Sequence, residues 1–205
     1  MREKLTDLSC TDFAARLASR EAVPGGGGAS ALCGSLGAAL CAMAARLSGD
    51  GEAINALVER ADALRGQLLA LIDADAEGFA PLASAYAIPR GTPGRSETLR
   101  EATLGACRAP MAMLRRCAEA LSLLEELLPQ CSRLLLSDVG CGALLCRAAL
   151  ESAALNVFVN TRSLPEADAL PLEAEADALL ADCLPRAEAL AAAVSAAVRK
   201  ERTHG

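Results

Sequence analysis

A single histidine, His204, stands next to the C-terminus of this 205-residue chain. Its isolation there excludes Ser-His-Asp triads, Cys-His dyads and histidine-based zinc sites from the rest of the sequence. A general acid or base must then be Asp, Glu, Lys, Cys or Tyr86. Carboxylates in apolar surroundings become the first candidates. Asp138 lies in LLLSDVGCGALL, flanked by leucines and followed by an apolar helical pattern. One reading makes Ser137 or Asp138 the N-cap of that helix, accepting backbone N–H groups. The other makes Asp138 a catalytic acid; the two are compatible, since a cap fixes the rotamer. Asp73 and Asp75 lie in LLALIDADAEGFAPL, with Glu77 four residues after Asp73. Two residues apart on a helix, the aspartates point to different faces. One of them should sit beside Leu71, Ile72 and Phe79, where burial raises a carboxyl pKa toward neutrality. The alternative for each is a solvated helix face.

Two further groups belong to the same inventory. Asn156 and Asn160, in ALNVFVNTR, are spaced i, i+4 on an otherwise apolar pattern. Buried amides need partners, so they either hold backbone and a neighbouring helix or read the edge of a heterocyclic ligand. The run Gly25 to Gly28, in VPGGGGAS, lacks the Lys-Ser/Thr of a phosphate loop and the spacing of a dinucleotide fingerprint. It is either a flexible turn or a loop that lets a ligand approach the backbone beside free N–H groups of a helix start.

The elements that must carry these residues are helical. The chain is 53% hydrophobic but 2% aromatic, and Ala and Leu dominate. Both are strong helix formers, and few segments carry the β-branched and aromatic residues of strands. A short helix is expected over Thr11–Arg20, capped by Ser9 or Thr11. The next runs from about Ala29 to Leu47, with Leu32, Leu36, Leu40, Met43 and Leu47 on one stripe. Its other face, with Ser30, Gly34, Ala38 and Ala45, is small enough for a neighbouring helix to come close. Long patterns follow over Glu52–Tyr86 and Glu97–Leu128, the latter expected to kink or split at Pro110. Another apolar helix spans Val139–Val159, and a last one Leu172–Arg199, bent at Pro185. The tail RKERTHG should fray. The expectation is one all-α domain over 1–205, a bundle of about six helices with two of them long. The glycine-led helix and Val139–Val159 lack a polar face, so one or both should be buried against a second subunit.

Charge and cysteine usage narrow the function. A net charge of -6 with almost no aromatics argues against nucleic-acid binding. The glycine-led helix is too diluted by Gly, Ser and Ala for a membrane span. Nine cysteines form no C-x-x-C or C-x-x-H spacing, which points to buried, reduced thiols acting as small hydrophobes. With no signal-peptide pattern, a cytoplasmic location is expected.

Three blocks occur in order: VPGGGGASALCGSLGAALCAMAARLS, LIDADAEGFAPLASAYAIPR and SDVGCGALLCRAALESAALNVFVN. Together they make the chain resemble the cyclodeaminase domain of formiminotransferase-cyclodeaminase and the stand-alone bacterial methenyltetrahydrofolate cyclohydrolases, from about Leu8 to Arg199. The resemblance implies an all-helical homodimer acting on tetrahydrofolate one-carbon units, with the folate as carrier and no metal or other cofactor. In the cyclohydrolase reaction water opens the 5,10-methenyl bridge to 10-formyltetrahydrofolate; in the cyclodeaminase reaction a 5-formimino group closes onto N10 and ammonia leaves. With no formiminotransferase domain in the chain, the cyclohydrolase is favoured. A catalytically idle binding or assembly protein of the same fold is the reading from another class. Carried onto this sequence, Gly25, Gly26 and Gly27 line the folate pocket, and Asp75, Asp138, Asn156 and Asn160 match recurrent polar positions. Arg90 is placed to meet the folate glutamate tail, and the hydroxyls of Ser30 and Ser137 join the binding set. Asp138 is the expected proton shuttle, with Asp75 second. The chain departs from the family at Gly28, where Ser is usual, at Phe158, where Arg is common, and at SGDGEAIN, which lacks a Lys-rich turn and a Tyr.

Overall fold

The computed structural model describes residues 4–200. His204 and the end of the RKERTHG tail lie outside the described residues. Among the described residues there are six α-helices and no strand. They are α1 (Cys10–Leu17), α2 (Gly26–Ser48), α3 (Glu52–Tyr86), α4 (Arg95–Leu127), α5 (Leu136–Thr161) and α6 (Glu166–Lys200). The Ser9 hydroxyl caps α1, accepting from the Asp12 N–H at 3.1 Å.

Helix boundaries differ from expectation: α1 ends at Leu17 rather than Arg20, α6 begins at Glu166 rather than Leu172, and three further differences have a physical reason. α2 begins at Gly26, so Gly26, Gly27 and Gly28 form its first turn and only Gly25 stands outside as N-cap. Glycine costs roughly 1 kcal/mol relative to Ala in a helix interior; here the Asp75 carboxylate of α3 leaves no room for a Cβ at Gly27, and Pro24 would lie 3.2 Å from one at Gly28. α5 begins at Leu136 because the 3-10 turn Arg133–Leu135 runs straight into it. Leu135 is its N-cap and no side chain caps it, so neither Ser137 nor Asp138 is the cap. α4 continues through Pro110 and α6 through Pro171 and Pro185 without interruption. A proline removes one i to i−4 hydrogen bond but leaves the turns on either side intact.

α2 packs against α3, α4 and α5, and α6 covers α4 and α5. Small residues make the close approaches. A Cβ at Gly34 would lie 2.6 Å from the Cys117 sulfur of α4, and one at Gly37 would lie 2.6 Å from the Cys146 sulfur of α5. Cys41, Cys107, Cys117, Cys146 and Cys183 are buried, as expected of thiols used as small hydrophobes. Burial pushes the Cys41 and Cys117 thiols up to about 12, which keeps them protonated and unreactive. Cys10 and Cys141 are exposed. Three arginines grip carboxylates with two nitrogens each and fasten α4 to α6: Arg100 to Asp168, Arg115 to Glu175, and Arg186 of α6 to Glu125 of α4.

The small-residue face of α2 points inward: Ser30 is 2% exposed, and Ala38 and Ala45 are fully buried. Its large-residue stripe points outward, with Leu36 49% and Leu47 64% exposed. α5 behaves alike, leaving Leu144, Leu155 and Val159 exposed. Both helices are long and apolar enough to cross a membrane by length and composition, and 61% of the α2 window is already buried inside the bundle.

Candidate functional site

The N-terminus of α2, the middle of α3 and the C-terminal part of α5 converge on one cavity of about 180 Å³. Gly25, Gly26, Gly27, Asp75, Asn156 and Asn160 line it, together with Phe79, Ala106, Pro110 and Val159. Asp75 projects from α3 across the first turn of α2. A Cβ on Gly27 would collide with both oxygens of its carboxylate. Gly27 therefore exists as glycine so that the carboxylate can lie against the helix terminus. The first N–H groups of a helix have no intrahelical partner, and their partial positive charge favours an anion there. Burial nevertheless dominates: the Asp75 carboxyl is pushed up to about 6, with the facing Gly28 N–H pulling the other way. At neutral pH such a group is ionised yet basic enough to take a proton.

The neighbouring aspartate does something else. Asp73 accepts hydrogen bonds from the Leu5 N–H at 2.6 Å and the Thr6 hydroxyl at 2.7 Å, tying down the N-terminal segment. Of the two faces of α3, the one bearing Asp75 is the chemical one.

The asparagines each spend one amide N–H on backbone. Asn156 donates to the Ser152 carbonyl at 2.7 Å, and Asn160 to the Ala106 carbonyl at 3.5 Å. Ala106 is four residues before Pro110, which has no N–H to offer it. The proline thus creates the acceptor that orients Asn160. Neither amide oxygen accepts a hydrogen bond among the described residues, so both remain for a ligand. A Cβ on Gly26 would lie 3.4 Å from the Asn156 oxygen, which keeps the α2 terminus and the amide in contact. Ser30 sits beneath the cavity rather than in its wall. Its hydroxyl donates to the Gly26 carbonyl at 2.7 Å and lies 2.9 Å from the Ser152 hydroxyl. Ser152 donates in turn to the Ala148 carbonyl at 2.5 Å, so this chain of hydroxyls supports the glycine turn from α5.

Three expected site residues are not brought to this cavity within one chain. Arg90 is exposed in the turn after α3, about 16 Å beyond the level of Asp75 at 1.5 Å per residue over the helix. Ser137 and Asp138 lie in the first turn of α5. Eighteen residues separate Asp138 from Asn156, roughly 27 Å along the same helix. Ser152, Ala106 and Pro110 were not foreseen as site residues. The i, i+4 relation of Ala106 to Pro110 is the one sequence signal that marked a freed carbonyl. Among the described residues no three of His, Cys, Asp and Glu are grouped as metal ligands.

Comparison with known proteins gives the chain a family. The formiminotransferase-cyclodeaminase family model matches residues 9–178. The chain belongs to the formiminotransferase-cyclodeaminase family. The matched span contains every residue that lines the cavity. The methenyltetrahydrofolate cyclohydrolase of Methylorubrum extorquens is 35% identical over 161 residues, covering 73% of this chain and 77% of that protein. The formimidoyltransferase-cyclodeaminase of Rattus norvegicus is 29% identical over 176 residues, covering 80% of this chain but 32% of the longer relative. In fold, the formiminotetrahydrofolate cyclodeaminase of Thermotoga maritima superposes with a TM-score of 0.81 at 24% identity, over 94% of this chain and all of the other.

Proposed function

We propose that this chain is a 5,10-methenyltetrahydrofolate cyclohydrolase. The observation that carries the reading is the Asp75 carboxyl, raised to about 6 and held against the glycine turn of α2. The cyclohydrolase of Methylorubrum extorquens, matched over most of both chains, supports it. The methenyl bridge carbon of the substrate is already an electrophilic cation. It needs a positioned water and a base, not a strong nucleophile. The Asp75 carboxylate attracts the cation and takes a proton from the attacking water. The water oxygen bonds to the bridge carbon, and the carbon–N5 bond then breaks as the formyl C=O forms. N5 takes a proton back from Asp75, and one proton in total goes to solvent. Asn156 and Asn160 offer amide oxygens to N–H groups of the pterin. The free N–H groups at Gly26 and Gly27 suit its carbonyl. No metal or redox group enters any step.

A cyclodeaminase acting on 5-formiminotetrahydrofolate is the second reading, favoured by the matches to formimidoyltransferase-cyclodeaminases. There the same carboxyl would protonate the departing ammonia. The chain also acts as a homodimer in this reading, with the outward apolar stripes of α2 and α5 as the contact. The absorbance of methenyltetrahydrofolate tests the first reading. Its loss beyond the buffer rate supports the cyclohydrolase. Release of ammonia from 5-formiminotetrahydrofolate without that loss supports the cyclodeaminase. Absence of both, with no binding of either folate, sinks the enzymatic reading.

A further inference from the structure

The Asp75 cavity, at about 180 Å³, is smaller than the ~300–1,000 Å³ of pockets that bury drug-sized ligands. A second cavity, of about 350 Å³, lies further along the same helices. Phe79 of α3 and Ala106 of α4 line the first; Tyr86 and Leu99 line the second, seven residues away on each helix. Seven helical residues span ~10 Å. Leu82 and Thr103, between the two, are each 2% exposed, so the strip that joins the cavities has a closed floor. Around the axis of α3, Phe79 and Tyr86 stand within ~40° of Asp75. Two of the chain's four aromatic side chains are thus aligned with that carboxylate. The far cavity is framed by the turn before α4 and the turn after α5, with Ser96, Ser163 and Pro165 in its wall. Residues 87–96 and 162–165 carry Arg90, Arg95 and Arg162 and no carboxylate, in a chain of net charge -6. Arg90 and Arg162 are exposed, and their side chains have no partner among the described residues. Arg95 spends its Nε on the Ile88 carbonyl at 2.8 Å. Glu97 and Asp168, the acids nearest this end, are both held by Arg100, at 2.9 Å and 2.5 Å, and Glu166 at the start of α6 faces three arginines.

We propose that the strip joining the two cavities seats the p-aminobenzoylglutamate arm of the folate, with Tyr86 against the arm and Arg162 at its carboxylates. The proposal rests on the folate-enzyme reading above and deepens it. In a 5,10-methenyl bridge the aryl ring is attached to N10, a nitrogen of the reacting bridge. With the bridge carbon at Asp75, the ring falls at Phe79, one turn along α3. From N10 the extended arm reaches its glutamate carboxylates in roughly 10–12 Å by ordinary bond lengths. That matches the ~10 Å from Phe79 to Tyr86. The carboxylates then arrive where the arginines stand. Arg162 lies three residues after Val159 of the near cavity and one before Ser163 of the far one, so it serves the path between them. An unpaired guanidinium there gives the arm a charge-assisted hydrogen bond. The other open side, past Gly26 and Val159, leads onto the exposed apolar residues Leu36 and Leu155, where removing two carboxylates from water is costly.

Tyr86 is the single tyrosine of the chain, which gives the first test. With tyrosine isotope-labelled in the ring, p-aminobenzoyl-L-glutamate added alone should shift the one tyrosine signal in magnetic resonance, and the shift should saturate. The Arg162→Gln chain should need roughly five- to tenfold more of the fragment, for one charge-assisted hydrogen bond lost. p-Aminobenzamide, which has no carboxylate, should titrate both chains alike. The second test is turnover of 5,10-methenyltetrahydrofolate. Arg162→Gln and Tyr86→Ala should each raise KM several-fold. The loss should fall on KM rather than on kcat, because the arm does not change in the reaction. Methenyltetrahydropteroate, the same substrate without the glutamate, should not distinguish Arg162→Gln from wild type. Both side chains are exposed, and circular dichroism checks that each variant is folded. A tyrosine signal that the fragment leaves in place overturns the proposal, and so do wild-type KM values in both variants. An equal loss on methenyltetrahydropteroate overturns the assignment of Arg162 to the carboxylates. A wild type inactive on both folates would instead sink the enzymatic reading, and the tyrosine titration then decides the groove alone.

Discussion

Burial and the α2 terminus act on Asp75 in opposite directions, and burial prevails. The folded carboxyl, at about 6, holds its proton more tightly than the unfolded one at 3.8. Between those values the folded state binds more protons, so stability falls as pH rises from about 4 to about 6 and stays lower above. Asp75→Asn is therefore expected to raise the melting temperature at pH 7.5 and to leave it unchanged at pH 4. Because the side chain keeps some solvent contact, the gain should be about 1 kcal/mol, or ~2–4 °C in a chain of this size. Thermal melts at the two pH values check the sign. Gly27→Ala should cost activity nearly as much as losing Asp75, since the added Cβ displaces the carboxylate. Wild-type turnover in that variant would show that the carboxylate position is unimportant. That Asp73 and Asp75 face apart was legible from helical periodicity. Which of them faces the site was not, because Leu5 and Thr6, 68 and 67 residues away in sequence, claim Asp73.

Helix identities were legible because Ala/Leu patterns at helical spacing extend over tens of residues. The glycine turn was not: local propensity argues against three glycines in a helix, and only the Asp75, Asn156 and Pro24 contacts around them explain it. Side-chain volume along α2 was legible, and the small face makes the close approaches that were expected of it. The small face makes the core and the leucine stripe faces out. Pro110 likewise does not split the pattern; it leaves the Ala106 carbonyl to Asn160. Pro110→Ala restores an N–H that competes for that carbonyl. Its expected outcome is a helix as stable or more so, with a KM for the folate raised several-fold as Asn160 loses its anchor. A KM equal to wild type would separate Asn160 from substrate binding.

At the scale of the whole molecule, α2 and α5 are interior on one side and apolar on the other. A chain alone exposes Leu36, Leu144, Leu155 and Val159 together. Exposed apolar side chains on two adjacent helices are what the proposed dimer contact would cover. If the proposed dimer uses this face, Leu36→Asp leaves the helical content intact, since the side chain is already half exposed, and lowers the sedimentation coefficient to that of a monomer; an unchanged sedimentation coefficient would contradict the proposed contact. The outward stripe was legible in the sequence as an apolar helix without a polar face. The placing of Asp138 at its far end was not, because how α5 lies along α2, with the Gly37 and Gly142 backbones close together, is set by tertiary packing rather than by local pattern.

The most direct test of the central claim is kcat/KM for methenyltetrahydrofolate as a function of pH, in wild type and Asp75→Asn. This quantity reports the ionisation of the free enzyme's essential base. A rise through pH about 6 in wild type, with a rate at least ~100-fold lower and no such rise in the variant, is the expected result. A variant with wild-type rate and the same pH profile would contradict it.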